Sequence, residues 1–145
     1  MKTIFALITI LLIALSISDA NAQKLQATTY LEKNIMGTQK GVQVSASIYK
    51  NVKVSYFFQA TEKFSLEKDG QNYPFHGLNF LVPVSNCGNI QIWASLRTGL
   101  VNGKYLIATP QVNTEIKIAK HFSMGISTGY RAGQASAGTF LSFNL

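Results

Sequence analysis

Ile90-Gln91-Ile92-Trp93-Ala94-Ser95-Leu96-Arg97-Thr98-Gly99-Leu100 carries the pattern on which the fold turns. In an extended chain successive side chains point to opposite sides, so Ile90, Ile92, Ala94, Leu96 and Leu100 share one face. Gln91, Trp93, Ser95, Arg97 and Gly99 share the other. Helical spacing would mix these two sets around a cylinder. The stretch reads as a strand with one apolar face and one face of small, amide and cationic residues.

The same alternation recurs on either side of it. Within 41–49, Val42, Val44, Ala46 and Ile48 oppose Gly41, Gln43, Ser45 and Ser47, and within 52–60 Val52, Val54, Tyr56 and Phe58 oppose Lys53, Ser55, Phe57 and Gln59. Further on, Leu106, Ala108, Val112, Ile116 and Ile118 oppose Tyr105, Thr109, Gln111, Asn113, Glu115 and Lys117. Phe122, Met124, Ile126 and Tyr130 oppose Ser123, Gly125, Ser127, Gly129 and Arg131. In the last stretch Ala137, Leu141, Phe143 and Leu145 oppose Ser136, Gly138, Ser142 and Asn144. Two segments alternate less cleanly: 25–32, whose mildly apolar side is Leu25, Ala27, Thr29 and Leu31, and 75–84, which has Pro83 near its end. Eight strands and no helix are expected. Pro110 falls in the sixth, and a closed barrel has no edge at which its missing N–H is harmless, so a bulge there or a strand starting at Gln111 is expected.

The links between strands differ in length. Those near 50–51, 85–89 and 119–121 are short, whereas 61–73 is the longest and holds Glu62, Lys63, Glu67, Lys68 and Asp69; 33–40 is also longer and polar. Barrels of the outer membrane have short periplasmic turns and longer external loops. With the N-terminus on the periplasmic side, 33–40 and 61–73 are external, and the short links 101–104 and 132–135 are compatible with that parity.

Lys2 precedes an apolar run over 4–17 broken only by Thr9 and Ser16, and Ala20-Asn21-Ala22 follows with the small-x-small pattern of a signal-peptidase site. The run is short for a transmembrane helix. The expected organisation is a signal peptide over 1–22, cleaved after Ala22, and a single domain over 23–145. Cys87 is the one cysteine, so no internal disulfide forms, and it reads as a passive turn residue.

The net charge is +7, yet charged residues make up only 13% of the chain, against about 25% in an ordinary soluble domain. Such a chain presents much of its surface to something other than water. The polar face is mainly Ser, Gly, Gln, Asn and Thr, which suits the packed interior of a narrow barrel. The apolar face then meets lipid, where strands must close on themselves because no backbone group can stay unpaired. The expected fold is all-β: an antiparallel, up-and-down, eight-stranded transmembrane β-barrel. A soluble secreted β-barrel that binds a hydrophobic ligand is the alternative that alternation alone leaves open.

Residues suited to chemistry are sparse. His76 and His121 have no spacing that suggests a metal site, and there is neither a phosphate-binding glycine pattern nor a Gly-x-Ser-x-Gly elbow. No catalytic, cofactor-binding or metal-binding residue is expected. His121, beside Lys120, reads as a solvated turn residue. The inward charges say more. Counted from the turns, Lys53, Glu115 and Lys117 lie in the periplasmic third, with Arg97 and Arg131 in the outer half. Glu115 is expected to pair with Lys53 or Lys117, because a buried carboxylate without a partner is costly. Arg97 and Arg131 have no acidic partner at their depth in this reading and face loop acids, an anionic headgroup or water. The scattered cations exclude a nucleic-acid surface and leave lipopolysaccharide phosphates as the natural anionic partner.

The C-terminal stretch Ser136-Ala137-Gly138-Thr139-Phe140-Leu141-Ser142-Phe143-Asn144-Leu145, taken with the pattern of the rest, resembles the small outer-membrane β-barrel proteins of Gram-negative bacteria, of the size of the OmpA transmembrane domain and OmpX. The resemblance implies a C-terminal assembly signal at Gly138, Leu141, Phe143 and Leu145, read by the barrel-assembly machinery. Family members typically end in an aromatic residue; here the last residue is Leu145, with Phe143 two places earlier. The resemblance implies no particular activity. Because eight strands leave little room for a channel, the expected role is structural or surface-interactive, as a monomer among outer-membrane lipid and lipopolysaccharide, with 61–73 as the segment that meets a partner. Some eight-stranded relatives modify lipid A, and His76 with Glu62 or Glu67 is the one candidate group for such an activity.

Overall fold

The computed structural model describes residues 25–34, 37–48, 52–61, 74–131 and 133–145. Eight strands follow one another: β1 (Leu25–Asn34), β2 (Gly37–Ser47), β3 (Lys53–Thr61), β4 (Phe75–Cys87), β5 (Ile90–Val101), β6 (Tyr105–Lys117), β7 (Phe122–Arg131) and β8 (Gln134–Asn144). Each pairs antiparallel with its neighbour in sequence, and β1 also pairs with β8 from Gln26↔Asn144 to Asn34↔Ser136, which closes the barrel. Closure removes the free edges of an open sheet. The expectation of an all-β, up-and-down, eight-stranded barrel holds. Leu25, Leu145 and the turns after β2, β4 and β6 lie at one end, called proximal below; the connections after β1, β3, β5 and β7 lie at the distal end.

The first connection departs from expectation. β1 runs to Asn34 and β2 begins at Gly37, with Asn34↔Gly37, Glu32↔Gln39 and Leu31↔Lys40 paired. The polar stretch 33–40 is therefore mostly strand rather than a long loop. Its polarity misleads because Gln39 points into a polar lumen, where it is buried. The parity of loop lengths now rests on the connection between Thr61 and Phe75 alone. Residues 62–73, which include Glu62, Lys63, Glu67, Lys68 and Asp69, lie outside the described residues, as do 1–24.

Pro110 is handled by neither expected device. β6 passes through it, with Leu96↔Pro110 in register against β5, but pairing with β7 extends only from Lys117↔Ser123 to Gln111↔Gly129. The Pro110 carbonyl is turned toward Gly129 of β7. In an antiparallel ladder the N and O of a residue address the same neighbour, so the missing N–H falls just beyond the last β6–β7 pair. On β4, a register shift between Pro83 and Ser85 marks a bulge in the stretch beyond Leu81, its last residue paired to β3.

The distal β5–β6 turn is built by Asn102 (φ 53°) and Gly103 (φ 65°), with Lys104 N–H donating to Val101 O over 3.1 Å. Left-handed dihedrals at both central residues are those of a type I′ turn, for which Asn-Gly is the preferred pair. Cys87 is the exposed last residue of β4, before the turn at Gly88 (φ 58°).

Burial is inverted relative to a water-soluble protein. Exposed side chains include Val42, Val44, Leu78, Phe80, Leu96, Val112 and Ile126, while Gln26, Glu32, Gln59, Asn79, Arg97 and Glu115 are buried. The alternation seen in the sequence thus sorts apolar residues outward and polar residues inward.

Candidate functional site

Side chains from all eight strands point into the lumen, organised around two carboxylates. The distal cluster centres on Glu32 of β1. Arg97 of β5 donates from Nη1 to Glu32 Oε2 over 2.8 Å, and Gln59 Nε2 of β3 donates to the same oxygen over 3.3 Å. The Arg97 guanidinium also lies 4.7 Å from the ring centroid of Tyr30 and 5.1 Å from that of Phe57. Arg131 of β7 donates to Gln39 Oε1 of β2, reaches Gln59 Oε1 at 3.4 Å, and rests 4.3 Å from the ring of Phe75. Phe57 and Phe75 meet edge to face with centroids 4.7 Å apart. Hydrogen bonds and ring faces replace part of the water these charged groups have lost, while Glu32 Oε1 and Arg97 Nε are buried without a hydrogen-bond partner among the described residues.

The proximal cluster centres on Glu115 of β6, only 4% exposed. Its Oε1 accepts from Gln26 Nε2 of β1 at 3.0 Å and Ser123 Oγ of β7 at 2.5 Å, and its Oε2 accepts from Trp93 Nε1 of β5 at 3.1 Å. Lys53 Nζ of β3 lies 3.6 Å from Glu115 Oε2, donates to Gln26 Oε1 over 2.9 Å, and sits 4.1 Å from the Trp93 ring centroid. Between the clusters lies a layer of neutral bonds. Asn79 Nδ2 donates to Gln43 Oε1 over 3.1 Å, and Asn113 Nδ2 to Ser95 Oγ over 2.8 Å. A cavity of about 40 Å³ remains there, bounded by groups of both clusters. That is space for a few waters at most.

Large rings fit so narrow a lumen because glycines face them. Tyr30 is in register with Gly41 and Phe140 with Gly125, and in each pair a Cβ on the glycine would run into the ring. A ring laid over the bare backbone of the adjacent strand covers the ladder and leaves the opposite wall free to supply polar groups.

Of the sequence candidates, Lys53, Glu115, Arg97 and Arg131 all point inward, whereas Lys117 is exposed at the proximal rim. Arg97 has an acidic partner, contrary to the sequence reading, and that partner is Glu32. The signal was present: Glu32 alternates with Leu31 and so faces the polar side, but it sits at the end of the weakest segment. Gln26, Gln39, Gln59, Tyr30 and Trp93, which complete the clusters, look like ordinary strand residues in sequence. Gly138 lies over the β1 backbone, with Leu31 O and Ser127 Oγ where its Cβ would be, and Leu141, Phe143 and Leu145 are exposed on the outer face. His76 lies on the outward side of β4 near its distal end, where its Nδ1 is 3.3 Å from Tyr56 Oη. Its proposed acids, Glu62 and Glu67, are outside the described residues. Among the described residues no group of His, Cys, Asp and Glu is placed to hold a metal ion.

Neither a family of known proteins nor a curated sequence matches this chain. Solved structures do. A de novo designed transmembrane β-barrel aligns with a TM-score of 0.71 at 5% identity, covering 88% of this chain and 99% of the designed one. The N-terminal β-barrel domain of Pseudomonas aeruginosa OprF gives 0.61 at 12% identity, over 84% of this chain and 97% of that domain. The Yersinia pestis outer membrane protein Ail, determined in a phospholipid bilayer nanodisc, gives 0.59 at 8% identity, over 85% and 99%. The fold is that of the small transmembrane β-barrels, OmpA-like in architecture.

Proposed function

We propose that the protein resides in a bacterial outer membrane as a small, closed barrel with a structural or surface-interaction role and no catalytic one. The observation that carries this is the inversion of burial: a continuous apolar exterior around a lumen of hydrogen-bonded polar and charged groups. In water such an exterior would be a very large unpartnered patch; in a bilayer it is the lipid contact, and the closed ladder satisfies the backbone. In this reading 1–22 is a cleaved export signal, the proximal end faces the periplasm, and the distal connections face outward. The bond from Arg97 to Glu32 crosses the lumen, which supports a barrel that passes no solute. The apolar face is outside, and the interior cavity of about 40 Å³ between the clusters is too small for a hydrophobic ligand, which weighs against the alternative of a soluble barrel that binds one. Lys33 and Lys104 at the distal end are exposed and suit the phosphates of lipopolysaccharide.

The test is fractionation with heat modifiability. The protein is expected in outer-membrane fractions and should change its apparent size on boiling before electrophoresis, as a detergent-resistant barrel unfolds. Recovery in the soluble fraction without a shift refutes the placement. Liposomes loaded with small sugars and carrying the folded protein should swell no faster than empty ones; faster swelling would mean the lumen conducts.

A further inference from the structure

The proximal mouth is not flush. β4 runs on from Leu81 to Cys87 beyond its last partner on β3, and the β4–β5 hairpin rises as a wall on one side. A quarter of the way round the barrel stands the β6–β7 turn. Between them lies an open bowl of about 600 Å³. Ser85, Asn86 and Gln91 of the hairpin, with Ser47 and Asn144, line its walls; Trp93 and Lys53 lie in its floor.

The charge of this bowl is one-sided. Lys53, Lys117, Lys120 and His121 all contribute to its lining. The carboxylate that reaches it from a side chain is Glu115, which already accepts from Gln26, Ser123 and Trp93 and is paired with Lys53. His121 is oriented as well: a backbone carbonyl only accepts, so its 3.0 Å contact with Asn144 O means that Nδ1 carries the hydrogen, and its ring is 6.1 Å from that of Phe143. Nε2 then accepts from a peptide N–H in the neutral ring and donates to a carboxylate only in the imidazolium.

We propose that this bowl is a binding site for an acidic peptide segment, held by Lys117, Lys120 and His121 at the rim above the Lys53–Glu115 floor. Peptide is favoured over a lipid phosphate because Ser85, Asn86, Gln91 and Asn144 offer amide and hydroxyl partners to a peptide backbone, beside apolar contacts from Pro83, Ala119 and Leu145 that suit its side chains. The volume fits a few residues. The inference relies on the outer-membrane reading only for the compartment that supplies the peptide.

The full chain, folded in zwitterionic detergent and first verified by its heat shift, is titrated with a capped hexaglutamate peptide. Trp93 is the sole tryptophan and lies in the floor, so its fluorescence reports the site. Saturable binding that weakens with added salt is expected. The variant K117Q/K120Q/H121Q changes only exposed side chains and should bind roughly fivefold to tenfold more weakly. K33Q/K104Q, at the distal end, should match the unaltered protein. Absence of saturation in a protein that shows the heat shift, or equal binding by the rim variant, overturns the site while leaving the outer-membrane reading intact. Inorganic phosphate binding as tightly as the peptide overturns the assignment to a peptide.

Discussion

Arg97 on β5 and Glu32 on β1 meet at 2.8 Å from opposite walls of the barrel, since three strands lie between them in either direction around it. The bond is a strut across the lumen. Gln59 and, through it, Arg131 extend it to β3 and β7, so the distal half is braced in several directions. Removing Arg97 as R97M leaves Glu32 buried without its cation, which costs about 3–5 kcal/mol. Urea unfolding in detergent should show this as a large drop in midpoint, with E32Q/R97M recovering much of it. Equal stability of R97M and the parent would remove the strut from the account.

Glu115 gathers donors from β1, β5 and β7 and stands beside Lys53. E115Q keeps the shape but turns one acceptor into a donor facing other donors and deprives Lys53 of its counter-charge. A loss of about 1.5–3 kcal/mol is expected, the scale of a hydrogen bond to a charged group. Because Trp93 donates to this carboxylate, its fluorescence should change in the folded state too. An unchanged unfolding midpoint would count against the pairing.

Phe140 lies over Gly125 so closely that a Cβ there meets both the ring and the Thr114 carbonyl. G125A should destabilise by about 1–3 kcal/mol, as overpacking does. Adding F140L, which shortens the intruding side chain, should restore part of the loss; no restoration would place the strain in the backbone contact alone.

Leu96, 44% exposed near the middle of β5, discriminates lipid from water as surroundings. In bilayers L96R should cost about 2–4 kcal/mol. A soluble barrel would tolerate an exposed arginine there at almost no cost, so refolding equilibria in liposomes separate the two environments.

P110A should be nearly silent, within about 0.5 kcal/mol. The N–H it restores points past the end of the β6–β7 ladder. A gain well above this would mean that the new donor finds a partner and that the two strands zip further.

Much of this architecture was legible in the residues. The period of two is a local consequence of extended backbone geometry, and the small and amide residues on one face identify a crowded polar interior rather than a water-facing sheet. Those features specify the strands, their number and which side chains turn inward, Arg97 and Glu115 among them. The resemblance at 136–145 pointed to the same architecture. The 33–40 segment was misread because loop composition and lumen composition are the same thing to a local reading: Gln39 is polar for either reason.

Partnership across the lumen is another matter. Alternation says that Glu32 and Arg97 face inward, but their meeting depends on the registers of every strand between them, each a non-local choice that no spacing in the chain records. The same holds for Pro110, harmless only because β7 stops pairing one residue short of it, and for the proximal bowl, which exists because β4 outruns β3. Side-chain direction is inherited from the dihedrals of single residues, whereas distance across a barrel is a property of its closure.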